Sequence, residues 1–347
     1  MSKRKSTVVA IIAAVIVLSI AYSAMSSANI DTFSNTVRIG YFPNISHTQA
    51  LVGVANGNFE RALEGTNVQY RTFNAGPAAI EALFTNQVDI TYVGPNPAIN
   101  GYMRTHGEGL KVIAGAASGG VLFVVRADSG IESPKDLAGK KLTSPQYGNT
   151  QDTSLKSYII ENGLKLAEYG GSVNVLSADN PDTVILFLKK EIDGAWVPEP
   201  WGTILVKNAN GKIFLDERDL WPDKEFATTV LVVRSEFLDK HPDLVKKVLQ
   251  AHVETTLWIN AHPEEAEKVV NAQLKVLMGK ELPADVVHEA FSRIQVTYKP
   301  MKSSLLKFAE EAYELGMLGR EKPELSDIYY TQLLNEVLQE MDLPLAE

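Results

Sequence analysis

From Thr36 to Lys240, short apolar runs alternate with stretches whose apolar residues recur at helical spacing, and few folds tolerate that pattern. The order is "TVRIGYF", a helix through "SHTQALVGVANGNFERAL", "VQYRTF", a helix through "PAAIEALFTNQ", then "VDITYVG". A second series follows Ala127: "KKLTSP", the helix "TSLKSYIIENGL", "SVNVLS", the helix "PDTVILFLKKE", "IDGAWV", and a helix starting near Trp201. Alternation of this kind predicts α/β structure with mostly parallel sheets. Two strand-like stretches, "GGVLFVVRAD" and "FATTVLVVRSEF", flank the second series and read as the crossings by which one lobe is inserted into the other. The expected organisation is two α/β lobes with a cleft between them, 36–121 with 229–347 as lobe 1 and 122–228 as lobe 2. Hinges are expected near Gly120 and Thr228. Beyond His241 the chain reads as helical and returns to cover lobe 1.

A chain of 347 residues is long enough for two such cores. Ahead of them, "KRK" at Lys3–Lys5 precedes an apolar run from Val8 to about Ala24, followed by small residues at Ser26 and Ala28. Residues 1–28 therefore read as an export signal, either cleaved or kept as a membrane anchor, and place the protein outside the cytoplasm. A polar linker runs to Asn35. The formal net charge of −9 argues against nucleic acid as a partner. Cysteine is absent, which excludes disulfides, thiolate metal sites, cysteine nucleophiles and a lipid-modified cysteine after the signal.

In open α/β sheets, ligands sit beyond the carboxyl ends of strands, where helix N-termini point. Four strand-to-helix junctions stand out. Gly76 and Pro77 follow "VQYRTF"; Gly94 and Asn96 follow "DITYV"; Gly148, Asn149 and Thr150 follow "KKLTSPQY"; Glu199 and Trp201 follow "DGAWV". Two belong to each lobe, so facing lobes would bring their free amides to one cleft. Unpaired N–H groups and the helix dipole bind anions without a charged side chain. Aromatic residues crowd the same edge: Tyr41 ends the first strand, Tyr147 precedes a glycine turn, and Trp196 and Trp201 bracket "VPEP". His47, at the opening of the first helix, is a candidate anion donor, whereas Glu199 would cap its helix or hold a ligand's cationic end. No phosphate loop, HExxH helix, GxSxG elbow or EF-hand loop occurs, and the six histidines are scattered. Neither a metal site nor a cofactor is expected.

At these residues the sequence resembles the extracytoplasmic substrate-binding proteins of ABC importers for aliphatic sulfonates, taurine and nitrate, a group that includes binders of thiamine pyrimidine precursors. "IGYFPNISHTQALVG", "NAGPAAIEAL", "DITYVGPNPAI", "SPQYGNTQDTSL" and "DGAWVPEPW" resemble that family's motifs in order. The resemblance implies a type II periplasmic-binding-protein fold, a monomer that performs no chemistry, and delivery of a small anionic solute to an ABC permease and its ATPase. On this reading the amides around Gly76, Asn96, Gly148, Asn149 and Thr150 hold the anion, while Tyr41, Trp196 and Trp201 face an organic tail. Nitrate or a pyrimidine precursor are alternative ligands. The rival of another class is a pyrimidine-synthesising enzyme on the same scaffold, against which the leader argues.

Overall fold

The computed structural model describes residues 36–346, so the expected leader and linker lie outside the described residues. The chain builds β1 (Thr36–Tyr41), α1 (Thr48–Ala55), α2 (Asn58–Ala62), β2 (Asn67–Thr72), α3 (Gly76–Phe84), β3 (Ile90–Val93), α4 (Pro95–Arg104) and β4 (Leu110–Gly119). It continues with β5 (Val121–Arg126), β6 (Lys141–Ser144), α5 (Thr150–Glu161), β7 (Asn174–Ser177), α6 (Asn180–Leu188), β8 (Gly194–Pro198), α7 (Trp201–Asn208), β9 (Gly211–Asp216) and β10 (Ala227–Arg234). The remainder is α8 (Ser235–Lys240), α9 (Pro242–Ala261), α10 (Pro263–Met278), α11 (Ala284–Phe291), β11 (Ile294–Val296), α12 (Lys302–Glu314) and α13 (Gln332–Glu340).

Two sheets result, with strand orders β11-β4-β10-β3-β1-β2 and β7-β6-β8-β5-β9. Each holds three parallel strands, β2-β1-β3 or β7-β6-β8, closed by an antiparallel strand that has just arrived from the other sheet, β10 or β5. Both arriving strands are buried on both faces, which is why they read as unbroken apolar runs. In β10, Leu231 and Val233 enter the cluster under α9, while Val230 and Val232 enter one that continues into the second sheet through Val121, Phe123 and Trp196.

The crossing from β4 to β5 needs two successive left-handed residues, Gly119 at φ 74° and Gly120 at φ 72°, a conformation glycine adopts without strain. The Thr228 hydroxyl donates to the Gly119 carbonyl, tying the return crossing to the outward one.

Three local expectations fail. The first long helix is broken by Gly57 at φ 65° into α1 and α2, after a 3-10 turn at Ile45–His47. Strand β4 was not expected because "LKVIAGAASG" is built of small residues; a Cβ on Gly115 would stand 1.8 Å from the Lys299 carbonyl oxygen. The C-terminal helices do not all stay with the first sheet, since α12 packs against both α4 and α5, and α11 against α7. Among the described residues no helix is long and apolar enough to cross a membrane.

Candidate functional site

The carboxyl ends of all six parallel strands point at one hollow between the sheets. The residues just past them line it: Phe42, Asn44, Ser46 and His47 after β1, Asn74 and Ala75 after β2, Gly94 after β3, Pro145 after β6, Asn180 after β7, and Pro198 ending β8. Asn149, Gln151, Thr228 and Thr229 complete the wall. Helices α3, α4, α5 and α6 begin here, at Ala75, Gly94, Asn149 and Asp179, and none of these four N-cap residues makes a side-chain capping bond. First-turn N–H groups have no intrahelical partner, so α3, α5 and α6 turn donors towards one place, whereas α4 opens with Pro95 and Pro97, which carry no N–H, and gives its Asn96 N–H to the Thr150 hydroxyl. No wall residue is an Asp, Glu, Lys or Arg. The hollow offers about 20 Å³ to the centre of a water-sized sphere, where about 10–15 Å³ admits one water. That is the scale of an oxoanion head.

His47 is held as a neutral donor. Burial lowers its pKa to about 3, and its Nδ1 accepts the Phe42 N–H at 3.3 Å, which leaves the proton on Nε2. Asn44 is held from across the hollow: the Trp201 indole donates to its Oδ1 at 3.0 Å, which orients the side-chain amide. Two further wall side chains, Asn180 and Thr229, carry buried oxygens without a hydrogen-bond partner among the described residues.

Of the residues singled out from the sequence, His47, Gly94 and Asn149 line the hollow. Others stand behind it. The Thr150 hydroxyl accepts the Asn96 N–H at 3.3 Å, so the two helix starts meet each other there. Glycine is required at both neighbouring positions: a Cβ on Gly94 would lie 2.4 Å from Thr150 Oγ1, and one on Gly76 2.3 Å from Pro97 Cγ. Pro77 shapes the first turn of α3, and Gly120 forms the crossing.

The remaining residues are placed differently from expectation, except Glu199, for which capping its helix was one of the two expected roles. The Gly148 amide donates to the Asp152 carboxylate at 2.9 Å and is not free. Tyr147 is 58% exposed, with Lys156 over its ring. Tyr41 lies on the opposite face of β1 from the hollow, edge-on to Tyr70 in the cluster under α9, because strand alternation sends Tyr41 and Phe42 to opposite sides. Trp196 is buried inside the second half, stacked on Phe123 and donating to Glu217 at 2.6 Å. Glu199 folds back to accept the Thr203 N–H and hydroxyl at 3.0 and 2.9 Å and pairs with Arg293 at 3.2 Å; it caps α7 and does not line the hollow.

Asn44, Asn74, Gln151, Asn180 and Thr229 were missed, because polar residues after strands also read as ordinary turn formers. The signal that could have found them is position alone: each follows a parallel strand, opens a helix, or starts the antiparallel strand between two such junctions. Among the described residues no cluster of His, Asp or Glu is arranged to hold a metal.

Several known proteins are similar to this chain. A binding protein of Brucella abortus is 28% identical over 242 residues, 69% of this chain and 72% of its own. The taurine-binding periplasmic protein of Escherichia coli is 26% identical over 215 residues, 62% of this chain and 64% of its own. The alkanesulfonate-binding protein of Xanthomonas axonopodis, solved with MOPS bound, superposes with a TM-score of 0.72 at 16% identity, covering 86% of this chain and 98% of that one. At such identity the superposition establishes the fold, that of the periplasmic binding proteins. The NMT1-like family matches residues 32–274, and the chain belongs to that family.

Proposed function

We propose that this protein is the solute-binding component of an ABC import system, working outside the cytoplasm, and that it closes on a small oxoanion, foremost an aliphatic sulfonate or taurine. One observation carries the reading: four helix starts, three of which offer first-turn N–H groups, converge on a single hollow that has no charged wall. Dipolar N–H groups, the His47 Nε2–H and the Asn44 amide satisfy an anion's oxygens, while the buried surroundings strengthen each bond. The sulfonate- and taurine-binding relatives support the choice of head group. Delivery to a permease, a monomeric state, and tethering or cleavage at residues 1–28 belong to the same proposal. A second reading, nitrate, is favoured by the size of the hollow, which admits a head and little more.

Calorimetric titration of the purified protein against taurine, ethanesulfonate, nitrate, sulfate and a hydroxymethylpyrimidine decides between them. Sulfonates are expected to release heat and to stabilise the fold by about 2.7 kcal/mol at a hundredfold excess over Kd. A response to nitrate alone replaces the first reading with the second. Silence towards the whole panel removes the small-anion assignment.

A further inference from the structure

Beside the hollow lies a wider vestibule of about 520 Å³ on the same measure, and the two share Asn74, Ala75 and Pro145 as a neck. Across that neck Asn74 Nδ2, from the first-sheet half, donates to Asp179 Oδ2, from the second, at 2.8 Å. Asp179 is half-buried and, among the described residues, forms no ion pair. A carboxylate at the mouth of an anion site, offset only by a neutral amide and the start of α6, disfavours any second negative group and attracts a cation. Its neighbour Asn180 points the same way: that residue lines the inner hollow, is 4% exposed, and carries a carboxamide oxygen that lacks a donor. Residues 179 and 180 thus form a track of acceptors running from hollow to vestibule, opposite the donors His47 and Asn44.

Resting on the solute-binding reading above, we propose that the vestibule is a second subsite and Asp179 its specificity-determining residue, selecting solutes that carry a protonated amine on a short tail behind the oxoanion head. The head occupies the hollow; the tail leaves through the neck; its ammonium displaces the Asn74 amide from Asp179 or joins it there.

The test pairs 1-propanesulfonate with 3-aminopropane-1-sulfonate, equal in head and chain, on the wild-type protein and two variants by titration calorimetry. Wild type is expected to bind the amine about three- to tenfold more tightly, an advantage that shrinks with added salt because the pair is partly exposed. Asp179→Asn keeps the shape and a hydrogen-bonding oxygen but drops the charge, and is expected to abolish the preference while holding or improving affinity for propanesulfonate. Asn74→Ala removes the bond across the neck but not the charge, and is expected to keep the preference. Equal binding of both compounds by wild type overturns the inference alone, as does an equal loss for both in Asp179→Asn, which would make Asp179 a closure contact only. Should neither sulfonate bind, the same comparison with butanoate and 4-aminobutanoate applies. Failure of all four compounds overturns the solute reading and this inference together.

Discussion

Gly94 has an ordinary helix-entry backbone, φ −68°, so only its missing side chain matters. A Cβ there would lie 2.4 Å from the Thr150 hydroxyl of the other half. Gly94→Ala is therefore expected to push the two halves apart at this contact and to weaken binding by about tenfold or more, as over-packing at a close contact costs about 1–3 kcal/mol; titration calorimetry checks it, and unchanged affinity would mean the contact is not kept in the bound form. Trp201→Phe keeps an aromatic ring but removes the indole donor and strands the Asn44 oxygen, and a loss of about 1–3 kcal/mol in binding is expected. Unchanged affinity in that variant would mean Asn44 needs no holding. These roles were only partly legible beforehand. That Trp201 lies at the cleft edge follows from its place after β8, but its partner Asn44 sits 157 positions away and no local pattern announces the pair. Tyr41 and Trp196 show the opposite failure, since aromatic residues at strand ends serve cores as readily as clefts, and only the face they take decides which.

At the scale of elements, the start of α7 illustrates how a helix end drops out of the site. Glu199 satisfies its first turn, and Arg293, standing just before β11 of the first sheet, pairs with that carboxylate across the halves. Glu199→Gln should cost about 3 kcal/mol of unfolding free energy by leaving a buried guanidinium partly uncompensated, read by denaturant titration; a variant within error of wild type would show that Glu289 alone suffices for Arg293. The segment joining β9 to β10 carries another buried acid. Burial raises the Glu217 carboxyl to about 7 despite donors from Trp196 and Ser154, and Glu311 on α12 is raised to about 7 by burial as well. Burial also lowers His47 to about 3 and His252 to about 4. The signs oppose each other. The histidines stay neutral in the native state while the unfolded chain takes protons below about 6.5, so they make stability rise with pH up to that point. The carboxyls stay protonated natively while the unfolded chain ionises above about 4.5, so they make stability fall with pH until about 7. Wild-type melting is expected to be nearly flat between about pH 4.5 and 6.5 on this account. Glu217→Gln removes one falling contribution, so its melting temperature relative to wild type should climb across that window by the equivalent of about 1.4 kcal/mol per pH unit. Parallel melting curves would refute the assignment.

For the whole molecule, the architecture was far more legible than the site. Parallel α/β units announce themselves through periodicity, and the doubled series with two apolar crossings foretold two sheets. What stayed hidden was tertiary in origin: β4, where the close approach of residues 299–300 leaves room only for glycine at 115, and α12, which spans both halves because it meets α4 and α5. The paired glycines 119 and 120 and the Thr228 bond mark where the halves would turn. Solution scattering at saturating solute is expected to show a smaller radius of gyration than the free protein; identical values with binding confirmed by heat would rule out hinged closure. A final consequence follows from the uncharged wall of the hollow. Dipole ends act over a few ångströms, whereas the formal charge of −9 is felt at roughly a Debye length, about 10 Å at 0.1 M salt. An approaching anion therefore meets repulsion before it meets any attraction, and capture should quicken as ionic strength rises, the reverse of a receptor that draws its cargo in with lysine and arginine.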